Sequence, residues 1–249
     1  MLSLSLASSA DPALLTVLKL NKDGGLSFVP AKIEAAAAGG KTAQVRLDGA
    51  ATLVIAQVQQ AAYGDMSSHW AEKEVRLLSS KLVVDGMDDG SFLPDSPLTR
   101  AQYSAMLVRA LGLEASAPPS SGGAFTDVAA GSWYAGSVSS AVTAGITEGY
   151  GDGSFRPDER ITREEMAVML YRALQAADTA PKADLSVLAG LSDGNELAGW
   201  SREAAAAVMG SGLITGRTDG GFAPAADATR AEGAAVLERL LRYLQASWF

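Results

Sequence analysis

Apolar residues recur at helical spacing in five stretches of the chain between residues 75 and 241. Side chains three or four residues apart lie on one face of a helix, so each stretch predicts an amphipathic helix. The stripes are Val75, Leu78, Leu82 and Val83; Met106, Leu107, Ala110 and Leu111; Val138, Ala141, Val142 and Ile146; Met169, Leu170, Ala173 and Leu174; and Val236, Leu237, Leu240 and Leu241. Glycine-rich turns ("VVDGMDDGSF", "ITEGYGDGSF" and "ITGRTDGGF") separate the helices into helix–loop–helix units. We expect the second helix of each unit to pack in a central three-helix bundle, because no unit can bury its stripe alone.

Residues 1–62 follow a different pattern. The segments "LSLSLA", "LLTVLKL", "KTAQVRL" and "ATLVIAQV" show alternation or short apolar runs, and "NKDGG", "AAGGK" and "DGA" separate them. Such segments bounded by turn residues predict β-strands. Four strands form a marginal fold, so we expect this segment to depend on the rest of the chain, or to be a β-domain truncated on its N-terminal side.

Five positions recur at fixed spacing in three copies. A tryptophan is followed 22 residues later by a phenylalanine and 7 residues after that by a threonine, and two arginines 9 residues apart complete the set. The sets are Trp70, Phe92, Thr99, Arg100 and Arg109; Trp133, Phe155, Thr162, Arg163 and Arg172; and Trp200, Phe222, Thr229, Arg230 and Arg239. The copies begin 63 and then 67 residues apart, so the variation in length lies between them. The spacing predicts three tandem repeats of one structural unit.

The repeats define the expected domain boundaries. We predict a β-rich segment over residues 1–62 and repeats over residues 63–115, 124–178 and 190–249. Residues 116–123 and 179–189 are the predicted linkers, because "EASAPPSSGG" and "AADTAPKADL" are rich in Pro, Ser, Gly or other small residues.

Composition and charge exclude several functional classes. The chain has 249 residues, a net charge of −8 and a pI of about 4.7, which argue against a nucleic-acid scaffold and a polybasic membrane anchor. An anionic ligand would need local cationic sites. The absence of cysteine excludes disulfides, zinc–thiolate sites and cysteine nucleophiles. The opening segment lacks the features of a signal peptide, so we expect this to be the C-terminal piece of a longer chain if the protein is exported.

The second helix of each repeat opens with a motif that fits a capping box. In "TRAQ", "TREE" and "TRAE" the threonine accepts a hydrogen bond from the third backbone N–H, and the Glu or Gln reaches back to the cap. The box does not require the arginine between them, which opposes the helix dipole by about 0.3–1 kcal/mol. Arg163 and its equivalents therefore need another reason. It is either a structural carboxylate partner such as Asp95 or Asp158, or an anionic ligand held by the guanidinium group.

The whole pattern resembles the S-layer homology (SLH) domain. The matching features are the Asp, Trp and Gly positions, "FTDV" before Trp133, "FRPDERITREE", and the three "TRAE"-type motifs, which together cover about residues 64–244. The resemblance implies a mainly α fold in which three motifs form a pseudo-threefold spindle around a central helical bundle. It also implies an extracellular protein without a cofactor. Such a protein anchors non-covalently to the cell wall of Gram-positive bacteria by binding secondary cell-wall polysaccharide with pyruvylated N-acetylmannosamine. We expect no catalysis by this chain, because no pair of carboxylates stands out and no phosphate-binding glycine motif such as GxxxxGK(S/T) occurs.

The resemblance also assigns site residues. Arg100, Arg163 and Arg230 would contact the ketal carboxylate, and the turns at Gly86, Gly149 and Gly216 would present backbone donors to the sugar. Trp70, Trp133 and Trp200 either stack on sugar faces or serve as packing anchors in the core. Two departures from the pattern predict that the grooves are not equivalent. Gln102 stands where Glu is usual, and Arg217 stands where the second repeat has Tyr150.

The sequence also suggests other functions. The acidic turns suggest calcium, but Tyr150 occupies a ligand position of an EF-hand-like loop at residues 148–159. His69 is the only histidine, so a Ser–His–Asp triad would have to use it. The alternative functions are an S-layer assembly module acting through protein–protein contacts, or the anchor portion of a larger cell-surface glycoside hydrolase.

Overall fold

The computed structural model describes residues 2–6, 11–36, 40–47, 49–115 and 125–249, so the predicted linker at 116–123 lies outside the described residues. The strands are β1 (Leu2–Leu6), β2 (Leu15–Leu20), β3 (Leu26–Phe28), β4 (Ala31–Ala35), β5 (Lys41–Val45) and β6 (Thr52–Gln57). The α-helices are α1 (Glu72–Ser80), α2 (Arg100–Ala110), α3 (Ala135–Thr143), α4 (Arg163–Ala176), α5 (Arg202–Gly210) and α6 (Arg230–Trp248). Short 3₁₀ helices span Pro12–Leu14, Gly64–Met66 and Leu185–Gly190.

The N-terminal segment forms two three-stranded antiparallel sheets. Their strand orders are β1-β5-β4 and β3-β2-β6. The four strands expected from alternation are confirmed as β1, β2, β5 and β6. The sequence patterns missed β3 and β4, because β3 has only three residues and β4 leads into an alanine-rich stretch that carries little strand signal.

The sheets pack on the helical part of the chain. Phe28 at the end of β3 belongs to the main hydrophobic cluster. Thr16 Oγ1 donates to the Ser80 carbonyl over 3.2 Å, and Gln245 Nε2 donates to the Ala31 carbonyl over 2.9 Å. The small β-segment thus gains contacts at the ends of α1 and α6, in line with its expected dependence on the remaining chain.

The helices pack across repeat boundaries. Helix α2 packs on α3, α4 on α5, and α6 returns to pack on α1. The second helix of each repeat therefore pairs with the first helix of the next repeat, and the third repeat closes onto the first. The helix–loop–helix unit seen in the sequence is a unit of repetition, while the packing unit is formed by two repeats.

A ring of backbone hydrogen bonds joins the segments that precede α2, α4 and α6. The Leu98 N–H donates to the Ala228 carbonyl over 2.8 Å. The Ala228 N–H donates to the Ile161 carbonyl over 2.9 Å, and the Ile161 N–H donates to the Leu98 carbonyl over 2.9 Å. This closed triangle brings together the N-termini of the three helices that open with arginine. The buried stripes of these helices belong to one hydrophobic cluster, as expected for a central bundle.

The connection between the second and third repeats is structured. The 3₁₀ helix Leu185–Gly190 falls across the end of the predicted linker at 179–189, and Leu188 is buried in the main cluster. Among the described residues, no helix combines the length and apolarity that crossing a membrane requires.

Candidate ligand-binding grooves

The three capping boxes are present as the sequence predicts. In α4, the Glu165 N–H donates to Thr162 Oγ1 over 3.2 Å, and the Thr162 N–H donates back to Glu165 Oε2 over 2.9 Å. Helices α2 and α6 have the same reciprocal pair, formed by Thr99 with Gln102 and by Thr229 with Glu232. These bonds satisfy N–H groups at the helix start and fix the position of the Glu or Gln side chain.

The arginine inside each box is buried and reaches into the next repeat. Arg163 is 4% exposed. Its Nε donates to the Phe222 carbonyl over 2.7 Å, its Nη2 to the Thr215 carbonyl over 3.0 Å, and its Nη1 to Glu232 Oε1 over 2.8 Å. Burial lowers the pKa of Arg163, while Glu232 opposes that effect and the like charge of Arg217 adds to it. The guanidinium group therefore joins α4 to the turn of the third repeat.

The other two arginines repeat this pattern in cyclic order. Arg100 Nε and Nη2 donate to the carbonyls of Phe155 and Glu148 over 3.1 and 3.2 Å, and Nη1 lies 3.5 Å from Glu165 Oε1. Arg230 Nε and Nη2 donate to the carbonyls of Phe92 and Asp85 over 2.7 and 2.9 Å.

The structural partners suggested from the sequence, Asp95 and Asp158, were the wrong groups. The three guanidinium groups are held by turn carbonyls, and two of them also pair with the glutamate of the next capping box. Local sequence gives no signal for these partners, because every residue presents a carbonyl group and the turns lie 48 or more residues away.

An aspartate near the start of each repeat clamps the same turn. Asp193 Oδ1 accepts the Phe222 N–H over 2.7 Å, and its Oδ2 accepts the Ala223 N–H over 2.6 Å. Asp65 and Asp127 make the equivalent bonds. Partial burial raises the pKa of Asp193, but the two backbone N–H groups outweigh it and leave that pKa below its ordinary value.

The clamp explains an unusual backbone conformation. Ala223 has a φ of 56°, and the equivalent Leu93 and Arg156 have φ values of 56° and 57°. Non-glycine residues seldom adopt this left-handed region. The sequence singled out these aspartates only as part of the family pattern, while the structure shows that they hold the turn that accepts the arginine.

Two cavities bring predicted site residues together from all three repeats. The larger, of about 760 Å³, is lined by Gly86, Trp133 and Arg230 together with Gln102 and Arg109. We call it the Arg230 groove. The smaller, of about 160 Å³, is lined by Gly216, Trp70 and Arg163 together with Arg217 and Glu232. We call it the Arg163 groove.

The equivalent position around Arg100 and Gly149 is occupied by a side chain. The Tyr150 ring lies 4.9 Å from Arg100 Cζ, and its hydroxyl donates to Glu165 Oε1 over 3.4 Å. Arg156 Cζ also lies over this ring, 4.0 Å from its centroid. We call this the Arg100 groove.

The tryptophans are exposed, so their interpretation as packing anchors was wrong. Trp70, Trp133 and Trp200 are 60%, 64% and 60% exposed. Two of the predicted glycines have a steric role. A Cβ at Gly86 would lie 2.3 Å from the Tyr63 ring, and one at Gly149 would lie 2.0 Å from the ring of Phe125.

The chain matches the family model of the S-layer homology domain at residues 62–104, 124–167 and 191–234, together more than half of its length. It is 34% identical over 179 residues to an amylopullulanase of Thermoanaerobacterium thermosulfurigenes, a match covering 72% of this chain and 9% of that protein. The exoglucanase XynX of Acetivibrio thermocellus is also 34% identical over 179 residues, which cover 72% of this chain and 16% of that protein. A surface layer protein of Brevibacillus choshinensis is 38% identical over 104 residues, which cover 41% of this chain and 9% of that protein. The chain spans less than a fifth of the length of these relatives, and it belongs to the S-layer homology domain family.

Proposed function

We propose that this chain anchors a protein to the bacterial cell wall by binding a secondary cell-wall polysaccharide in the grooves between its repeats. S-layer homology domains anchor proteins to the cell wall, and the relatives include proteins named for the surface layer and the cell wall. The observation that carries the proposal is that one buried arginine, one glycine turn and one exposed tryptophan meet in each of two cavities.

The chemistry of these cavities suits a sugar that carries a carboxylate. A tryptophan face offers apolar area to the C–H face of a pyranose ring, and a guanidinium group pairs with a carboxylate through charge-assisted hydrogen bonds. Because the whole chain has a net charge of −8, attraction for such a polymer must come from these local arginines. The family resemblance implies pyruvylated N-acetylmannosamine, which is such a sugar, and we propose it as the recognised unit.

The proposal includes a pseudo-threefold spindle as the arrangement of the repeats. The ring of hydrogen bonds through Leu98, Ile161 and Ala228 supports it, as does the cyclic packing of each second helix on the first helix of the next repeat. In this cyclic order Trp200 would face the Arg100 groove.

Co-sedimentation with purified cell-wall sacculi tests the function. The wild-type chain should sediment with sacculi that retain the secondary polymer and should stay in solution with sacculi stripped of it. Equal sedimentation with both preparations would rule out polysaccharide recognition.

Tryptophan variants are the appropriate probes of the grooves, because replacing a buried arginine would also disturb the fold. The triple change of Trp70, Trp133 and Trp200 to Ala should abolish sedimentation. Leu185→Ala is the matched control, since Leu185 is 55% exposed and lines neither of the two cavities described above. The alternative role in surface-layer assembly predicts particle growth in light scattering without any polysaccharide.

A further inference from the structure

Resting on the proposed function, we propose that the Arg230 groove is the one that receives the carboxylate of the wall polymer. Arg230 and Gln102 would bind it together, while the other two grooves satisfy their arginines internally. The motivating difference is a single residue of the capping box: α4 and α6 carry Glu165 and Glu232 where α2 carries Gln102.

The glutamates neutralise two of the three buried arginines. Arg163 Nη1 donates to Glu232 over 2.8 Å, and Arg100 Nη1 lies 3.5 Å from Glu165. Within the part of the chain that the structure describes, Arg230 has no such ion pair, and its hydrogen bonds go from Nε and Nη2 to two turn carbonyls. Its Nη1 group is left as a donor in a side chain that is only 4% exposed.

The capping bond fixes which end of the Gln102 amide faces the cavity. Gln102 Oε1 accepts the Thr99 N–H over 3.1 Å, so the second terminal atom must be the NH₂ group. In α6 the corresponding atom is Glu232 Oε1, which accepts from Arg163. The first repeat therefore offers a donor where the third offers an acceptor.

Gln102 and Arg230 line the same cavity, so an amide NH₂ group and a guanidinium group share one space. The glutamate oxygen that pairs with the arginine in the other two grooves is missing here. A carboxylate supplies two acceptor oxygens and one negative charge, which matches an amide donor and a guanidinium donor together. Because Arg230 is buried, this pairing takes place where water screens it little.

The other acidic groups around the groove do not fill this role. Asp85 accepts from Arg109 Nη1 over 2.5 Å, and Asp89 accepts from the backbone and hydroxyl of Ser91 within its own turn. Asp88 is exposed to solvent, which screens its charge. The cavity of about 760 Å³ also leaves room for a sugar ring against Trp133.

The two remaining grooves are poorer receptors for a carboxylate. The Arg163 groove is lined by Arg163, Arg217 and Arg239, but Glu232 already pairs with Arg163. The Arg217 side chain is 41% exposed, and the cavity measures only about 160 Å³. In the Arg100 groove, the ring of Tyr150 covers the guanidinium group.

The test is Gln102→Glu, which gives the first repeat the residue of the other two and keeps the capping box. The probes are the methyl glycoside of pyruvylated N-acetylmannosamine and the same glycoside without the pyruvyl group, titrated by calorimetry and by the indole ¹⁵N–¹H signals of the tryptophans. We expect the charged glycoside to shift the Trp133 signal in the wild type and to bind at least about tenfold more tightly than the uncharged one.

In the Gln102→Glu variant this affinity should fall by at least about tenfold, because the new carboxylate occupies Arg230 and repels the ligand. The melting temperature should stay level or rise, since a buried arginine gains a partner. Glu232→Gln is the matched converse, and it should lower the melting temperature without weakening the response of Trp133.

Two results would overturn the inference while the proposed function stands. One is a Gln102→Glu variant that binds the charged glycoside as tightly as the wild type. The other is a charged glycoside that shifts Trp70 and leaves Trp133 unchanged. If neither glycoside binds but the chain still sediments with polymer-bearing sacculi, the inference fails together with the proposed pyruvylated unit, while polysaccharide anchoring stands. Loss of that sedimentation as well would refute the proposed function.

Discussion

The aspartate clamp gives the sharpest prediction about stability. Asp193 accepts two short hydrogen bonds, from the N–H groups of Phe222 and Ala223, and Ala223 is held at a φ of 56°. The Phe222 carbonyl in turn accepts from Arg163 Nε over 2.7 Å. Changing Asp193 to Asn replaces one acceptor oxygen with an NH₂ group that faces a backbone N–H, so one charge-assisted hydrogen bond is lost.

A hydrogen bond to a charged group contributes about 1.5–3 kcal/mol, and for a chain of this length each 1 kcal/mol lowers the melting temperature by about 2–4 °C. Asp193→Asn should therefore melt about 4–8 °C below the wild type, for a central value of about 2 kcal/mol. The assay is thermal unfolding followed by circular dichroism and calorimetry. Asp158→Asn is the control, because Asp158 is exposed and the change in charge is the same. Equal melting temperatures for the two variants would show that the clamp does not stabilise the turn.

Three further predictions follow from other contacts. Gly149→Ala should lower stability by about 1–3 kcal/mol in urea unfolding, because its Cβ would lie 2.0 Å from an aromatic carbon. Gly216→Ala, whose nearest contact is 3.2 Å, should cost less than half as much, and equal losses would contradict the steric argument. The pKa of Asp193 is lowered in the folded chain, so its ionised carboxylate stabilises the fold. This stabilisation is fully present above the pKa of Asp in the unfolded chain, about 3.9, and is lost as the pH falls through the folded pKa. The gap in melting temperature between wild type and Asp193→Asn should thus narrow from pH 7 to pH 2.5, and a constant gap would refute this linkage. Tyr150→Met combined with Glu165→Gln should add one calorimetric binding site for the charged glycoside, whereas Tyr150→Met alone should add none.

Local signals in the sequence predicted the local structure well. The threonine and the Glu or Gln of each capping box interact within one turn of helix, so their spacing alone specifies the contact. The apolar stripes predicted the helices but not where the first helices end, because Leu82 and Val83 follow α1 and Ile146 follows α3 in the turns after them. Strands as short as β3 lack enough alternation to be recognised.

The candidate site depended on contacts that no local pattern encodes. Arg163 is bound by carbonyl groups 52 and 59 residues away, because the second helix of each repeat packs against the next repeat. The same cyclic closure places Trp133 in the cavity that Arg230 lines, so this tryptophan remains exposed instead of packing in the core. The two sequence signals that pointed to unequal grooves were Gln102 and Arg217, and the structure places each of them in the lining of one cavity.

A crystal structure of the chain with the methyl glycoside of pyruvylated N-acetylmannosamine tests the central claim most directly. The sugar ring should lie against Trp133 in the Arg230 groove, with its carboxylate within hydrogen-bond distance of Arg230 and Gln102. A sugar bound outside all three grooves, in a chain that still sediments with polymer-bearing sacculi, would contradict recognition between the repeats.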